Sequence, residues 1–133
     1  MIWDNSHWVG LAINLELWDI EILDSNQYKN DGFVREYMRP VVEMLPYIVR
    51  KLCGPRATQS HGVKPFTWQR TQGLYSNDRS GDCGPLAAKF MEMHALGASS
   101  GGMDSLTDEV VDNLRKQYAV DIYKECIVPL YSE

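Results

Sequence analysis

Three residues of this chain have the types and the order that thiol catalysis requires: His7, Asp24 and Cys83. A thiol attacks a carbonyl as its thiolate, so the cysteine needs a base to accept its proton and an acid to orient that base. Cys83 stands in Ser80-Gly81-Asp82-Cys83-Gly84-Pro85, where a turn gives way to a helix. A helix N-terminus beside a protonated imidazole stabilises the thiolate, and Gly81 and Gly84 allow a peptide backbone to come close.

The strands that carry the base and the acid must bring them together. From His7 to Leu15 the apolar residues Val9, Leu11, Ile13 and Leu15 alternate on one face, and from Leu17 to Asp24 Trp18, Ile20 and Ile22 do the same. That period predicts two strands of a β-hairpin. A two-residue turn at Leu15-Glu16 pairs 13 with 18, 11 with 20, 9 with 22 and 7 with 24. Opposed residues have Cβ atoms about 4.5–5.5 Å apart, so Asp24 would reach a His7 ring N–H, fix its tautomer and stabilise the imidazolium.

Beyond the hairpin, Phe33, Tyr37, Val41, Leu45, Ile48 and Leu52 recur at helical spacing and predict a helix over 31–52. An interior proline costs a helix about 3 kcal/mol, so Pro40 and Pro46 predict two shorter helices or a kinked one, with Pro40 near a helix start. Gly54-Pro55 ends that segment, 55–64 reads as a loop, and Pro65 to Arg70 and Leu74 to Ser76 read as short strands. Pro85 opens an apolar helix through Leu86, Phe90 and Met93 that stops at Gly97 and is expected to be central and buried. After a linker of small residues, Ala98 to Gly102, Ser105 is the expected N-cap of a last helix buried through Leu106, Val110, Leu114 and Tyr118. The predicted fold is a single α+β domain over 1–133, a small mixed or antiparallel sheet packed on the helix that starts at Cys83.

The 133 residues are 44% hydrophobic and 23% charged, the composition of one soluble globular domain. Thirteen Lys and Arg against eighteen Asp and Glu leave a formal charge of −5, which argues against nucleic-acid binding. No apolar run approaches the ~18 residues of a membrane span, and no basic segment leads into an apolar one, so a soluble intracellular protein with no membrane contact is expected. The cysteines, Cys53, Cys83 and Cys126, form no CxxC pair and have no partnered histidine cluster, so neither a disulfide framework, a metal site nor a cofactor is expected. Cys53 and Cys126 read as buried or incidental, His61 and His94 as surface or packed, and Trp8 as a shield over His7 and Asp24 or a core residue.

His7-Trp8 opening a strand, Asp24-Ser25 seventeen residues on, and Gly81-Asp82-Cys83-Gly84 opening a helix resemble the ubiquitin-like-protease (SUMO-protease) family of cysteine peptidases, in the order His, Asp, Cys. The similarity is to plant members and runs from His7 to Glu125, through the Leu-Gly end of the cysteine helix and the Leu114-Arg115 helix. It implies that His7 is the general base, that Asp24 orients it, and that Cys83 attacks the carbonyl after the C-terminal glycine of SUMO or another ubiquitin-like modifier. The family's oxyanion-hole Gln is matched by Asn77, six residues before Cys83 and one methylene shorter, with the Cys83 backbone N–H as second donor. The resemblance also implies a partial catalytic domain lacking the family's N-terminal part, which supplies modifier-binding surface and an aromatic clamp that Trp3 is too close to His7 to replace. The expected place of action is the nucleus and/or the cytoplasm. The alternative is a truncated, catalytically weak or inactive remnant acting at most as a binding module; an acyltransferase using the same three residues is a further reading.

Overall fold

In a computed structural model of the chain, residues 1–27, 29–98 and 100–131 are described. Strands β1 (Ile2–Trp3) and β2 (His7–Trp8) form a short antiparallel ribbon. Strands β3 (Gly10–Asn14), β4 (Asp19–Leu23) and β5 (Thr67–Arg70) form a sheet in that order, β3 antiparallel and β5 parallel to β4. Helix α1 (Asp31–Cys53) makes the long crossover that a parallel pair needs. Helices α2 (Cys83–Ala95), α3 (Ser100–Met103) and α4 (Asp108–Ile122) follow. The α+β class and the mixed sheet agree with the sequence reading.

Side chains of β4 alternate between two cores. Ile20 and Ile22 join Trp3, Val9, Trp18 and the α1 residues Val34, Met38 and Val42, whereas Leu23 joins Leu74, Leu86, Phe90, Met103 and Val111. The sheet therefore lies between α1 and the α2/α4 pair. Helix α2 packs centrally, against β2, β3, β4 and α4, but is buried on one face rather than all round: Leu86, Ala87 and Phe90 are buried, while Met91 is exposed.

The hairpin differs in register. Its loop spans Leu15 to Trp18, Asn14 pairs with Asp19, and the ladder runs to Gly10 opposite Leu23. The side chain of Asn14 closes the loop by accepting from the backbone N–H groups of Glu16 and Leu17, an Asx turn. Trp18 adopts φ +58°, a conformation that costs a bulky residue about 1–3 kcal/mol. Burial offsets it: the indole stacks between His61 and Phe66 at 4.8 and 4.1 Å and donates to the Lys64 carbonyl at 2.8 Å.

Both prolines lie inside one continuous α1, capped by Asn30 and ended at Gly54 with φ +83°. Pro46 has no N–H for the Val42 carbonyl, and that oxygen instead accepts from the Phe66 backbone N–H at 3.2 Å. The buried stripe is Val34, Met38, Val42, Pro46 and Val49, one position beyond the predicted one; Ile48 and Leu52 are exposed. Residues Leu74 to Ser76 form no strand, although the Tyr75 N–H bonds to the Met103 carbonyl. Helix α4 is capped by Thr107, two residues after Ser105, and its buried residue is Val111.

Where α2 crosses β3 the two backbones come close at Gly10. A Cβ there would meet Met91 Cγ at 2.8 Å, the Ala87 carbonyl at 3.1 Å and Leu23 Cβ at 3.3 Å. Gly10→Ala must push the cysteine helix off the sheet, and overpacking of this kind costs about 1–3 kcal/mol, to be read as a lower urea midpoint.

Candidate active site

His7 is positioned by the β1–β2 ribbon. Asp4 and Asn5 both take positive φ, and the Ser6 N–H closes the turn on the Trp3 carbonyl at 3.1 Å, the tight hairpin geometry that Asp and Asn tolerate. Trp3 is fully buried, packs edge-on against Phe33 of α1 and lies 6.2 Å from the His7 ring, so it is a floor beneath the imidazole. His7 Nε2 lies 2.7 Å from Asp24 Oδ1. The predicted route to this contact is wrong: His7 pairs with Trp3, not with β4, and Asp24 follows the last ladder residue, Leu23. The β1–β2 turn, rather than a cross-strand pair, swings the ring onto the carboxylate.

Asp24 is almost wholly buried and has no free oxygen. Its Oδ1 accepts from His7 and, at 2.8 Å, from the Asn26 backbone N–H; its Oδ2 accepts from Arg70 Nη2 at 3.1 Å. Because an ionised carboxylate only accepts, the His7 proton belongs on Nε2, which leaves the Nδ1 lone pair as the basic atom.

Cys83 is the first residue of α2, where its backbone N–H has no intrahelical acceptor. Its thiol donates to the Ser6 carbonyl, Sγ to oxygen 3.7 Å, immediately before His7. His7, Cys83 and Asn77 line one open cleft of about 360 Å³, together with Asn26, Lys29 and Arg79 to Gly81. Asp24 sits behind His7, outside that lining. Gly81 has φ +83°, a conformation that calls for glycine, and a Cβ on it would stand 3.2 Å from Arg115 Nη2, which would have to shift.

The loop before Cys83 is held by charge. Asp82 is fully buried and does not cap its own helix; it bonds Arg115 of α4, Arg79 Nε at 3.1 Å and Asn77 Nδ2 at 3.1 Å. Asn77 Nδ2 also donates to Asp108 Oδ1 at 3.0 Å, so both amide hydrogens point to carboxylates rather than into the cleft. The Tyr75 hydroxyl donates to the same Asp108. That bond holds the Asp108 carboxyl below its usual range and pushes the Tyr75 phenol up.

A family model described as the Ulp1 protease family, C-terminal catalytic domain, matches residues 1–130. The chain belongs to that family. No curated protein and no solved structure gave a significant match. Ulp1-family proteases are cysteine proteases of ubiquitin-like modifiers, and Cys83 shares a cleft with a histidine. Cys53 and Cys126 are both exposed, not buried. His61 stacks on Trp18, and His94 faces Glu21 at 3.8 Å on the cysteine helix. Trp8 is half exposed beside Gly84, its Cδ1 3.8 Å from where a Cβ would stand. Among the described residues, no helix is long and apolar enough to cross a membrane. Sequence reasoning missed Arg70, Arg79 and Arg115: Arg70 and Arg115 reach the site from distant segments, and Arg79, three residues before Asp82, reads in the sequence only as part of a turn.

A carboxyl with a lowered pKa stabilises the fold above its unfolded value and loses that contribution as the pH falls through its folded value. From about pH 4 downward this contribution should therefore fade, and be lost once the pH falls through the lowered value of Asp108. Asp108→Asn should reduce stability at neutral pH and flatten the acid-side fall of the urea midpoint, measured from pH 3 to 7.

Proposed function

We propose that His7, Asp24 and Cys83 form the catalytic triad of a peptidase or isopeptidase that cleaves after the C-terminal glycine of SUMO or another ubiquitin-like modifier, in the nucleus or the cytoplasm. The observation that carries this reading is the 2.7 Å bond from His7 Nε2 to a buried Asp24, with His7 and Cys83 lining one cleft.

In this mechanism Nδ1 of His7 takes the Sγ proton, and the thiolate adds to the glycine carbonyl. The Cys83 backbone N–H stabilises the oxyanion, together with the Asn77 amide once it exchanges a carboxylate for the substrate oxygen. The imidazolium protonates the leaving amine, the C–N bond breaks, and an acyl-enzyme remains. Water attacks with His7 as base, and Cys83 is regenerated. Asp24 keeps the ring oriented and stabilises the imidazolium throughout.

A modifier carrying a C-terminal electrophile should form an adduct with this chain, mapped to Cys83 by peptide mass. Cys83→Ser should form none, and adduct formation equal to the parent's in Cys83→Ser would sink the proposal. A catalytically weak form is favoured by one observation, the commitment of both Asn77 amide hydrogens to carboxylates. Asn77→Ala should then lower kcat by less than the roughly 100- to 1,000-fold that a preorganised oxyanion donor is worth.

A further inference from the structure

We propose that Arg70 is a positioning residue of this active site: its guanidinium fixes Asp24, and through Asp24 the His7 ring, and supplies the counter-charge that the buried carboxylate needs when His7 is neutral. The inference rests on the reading of His7, Asp24 and Cys83 as catalytic.

Arg70 ends β5 opposite Ile22, and the next residue, Thr71, donates its N–H to the Ile22 carbonyl at 3.1 Å. The parallel pairing therefore delivers the arginine beside the end of β4, where Asp24 follows. Its side chain is 10% exposed and Asp24 is 1% exposed, so neither group is solvated as a free ion would be. Nη2 bonds Asp24 Oδ2 at 3.1 Å, and Nη1 bonds the Lys29 carbonyl at 2.7 Å, with Asp31 of α1 a further 3.8 Å contact. The guanidinium is thus held at its two terminal nitrogens, while Nε is buried without a hydrogen-bond partner among the described residues; the carboxylate is held at both oxygens, by Arg70 on one and by His7 and Asn26 on the other.

Charge explains why an arginine suits this place. His7 is cationic while it holds the thiol proton and neutral after it has protonated the leaving amine. A buried carboxylate whose sole ionic partner was His7 would lack a counter-ion whenever His7 is neutral, and an uncompensated buried charge is strongly unfavourable. Arginine does not deprotonate in proteins, so the compensation is permanent. The Nη2 bond to Oδ2, opposite the bonds that Oδ1 accepts, also restricts rotation of Asp24, which sets the direction of the His7 lone pair.

The test measures Cys83 reactivity separately from modifier turnover. In a Cys53→Ser/Cys126→Ser background, iodoacetamide reacts with the Cys83 thiolate: the S–C bond forms, iodide leaves, and the thiol proton has passed to His7. Arg70→Met should lower both this rate and kcat by on the order of 10- to 100-fold, the scale of a small misplacement of a catalytic group, with KM within about two-fold of the parent. Arg70→Lys, which keeps the charge, should react faster than Arg70→Gln, which keeps hydrogen bonding alone; this pair decides the matter if Arg70→Met does not fold. Parental rates in folded Arg70→Met, or equal rates in the Lys and Gln variants, would overturn the proposal. If Cys83 of the parent reacts no faster than Cys83 of His7→Ala, the catalytic reading of His7 fails, and the role of Arg70 fails with it.

Discussion

Asp24 accepts hydrogen bonds from the His7 ring on β2, the Asn26 backbone in the next turn and the Arg70 guanidinium at the end of β5. A carboxylate buried to this degree is tolerated only when its oxygens are filled, and filling them requires three separated parts of the chain to meet. The parallel β4–β5 pairing, the α1 crossover and the β1–β2 ribbon can all be understood as means to that meeting. Trp3 links two of them, since it lies under His7 and packs on Phe33 of α1.

A second charged cluster does for Cys83 what Asp24 does for His7. Asp82 precedes Cys83 and is gripped by Arg79 and Arg115, so α4 is tied to the start of α2 by an ion pair as well as by the Val111 core. The same cluster engages the Asn77 amide. Its carboxylates give the loop a fixed shape and also compete with any substrate oxygen for that donor.

The sequence was most legible where chemistry and local geometry coincide. The motif around Cys83 marked a helix start because Asp-Cys-Gly-Pro there is both a reactive and a helix-opening pattern, and α2 begins at Cys83. Alternation marked β4, whose Ile20 and Ile22 are buried as predicted. Register was not legible, because it depends on Asn14 closing a four-residue loop and on Trp18 accepting a left-handed backbone that the indole's stacking offsets. The meeting of His7 with Asp24 came from the correct residues by an incorrect pairing. Arg70 left no mark at all, since an arginine at a strand end looks the same whether it faces water or a buried acid.

Pro46 illustrates how a helix defect can serve another element. The carbonyl it leaves without an intrahelical donor receives the N–H of Phe66, the residue before β5, and β5 ends at Arg70. The gap in the α1 ladder is thus a docking point that helps index the third strand, and the indexing continues along that strand to the anchor of Asp24. Judged by helix propensity alone, Pro46 is a fault awaiting repair; within this architecture, a turn of α1 that lacks an internal bond is one through which the helix communicates with Asp24.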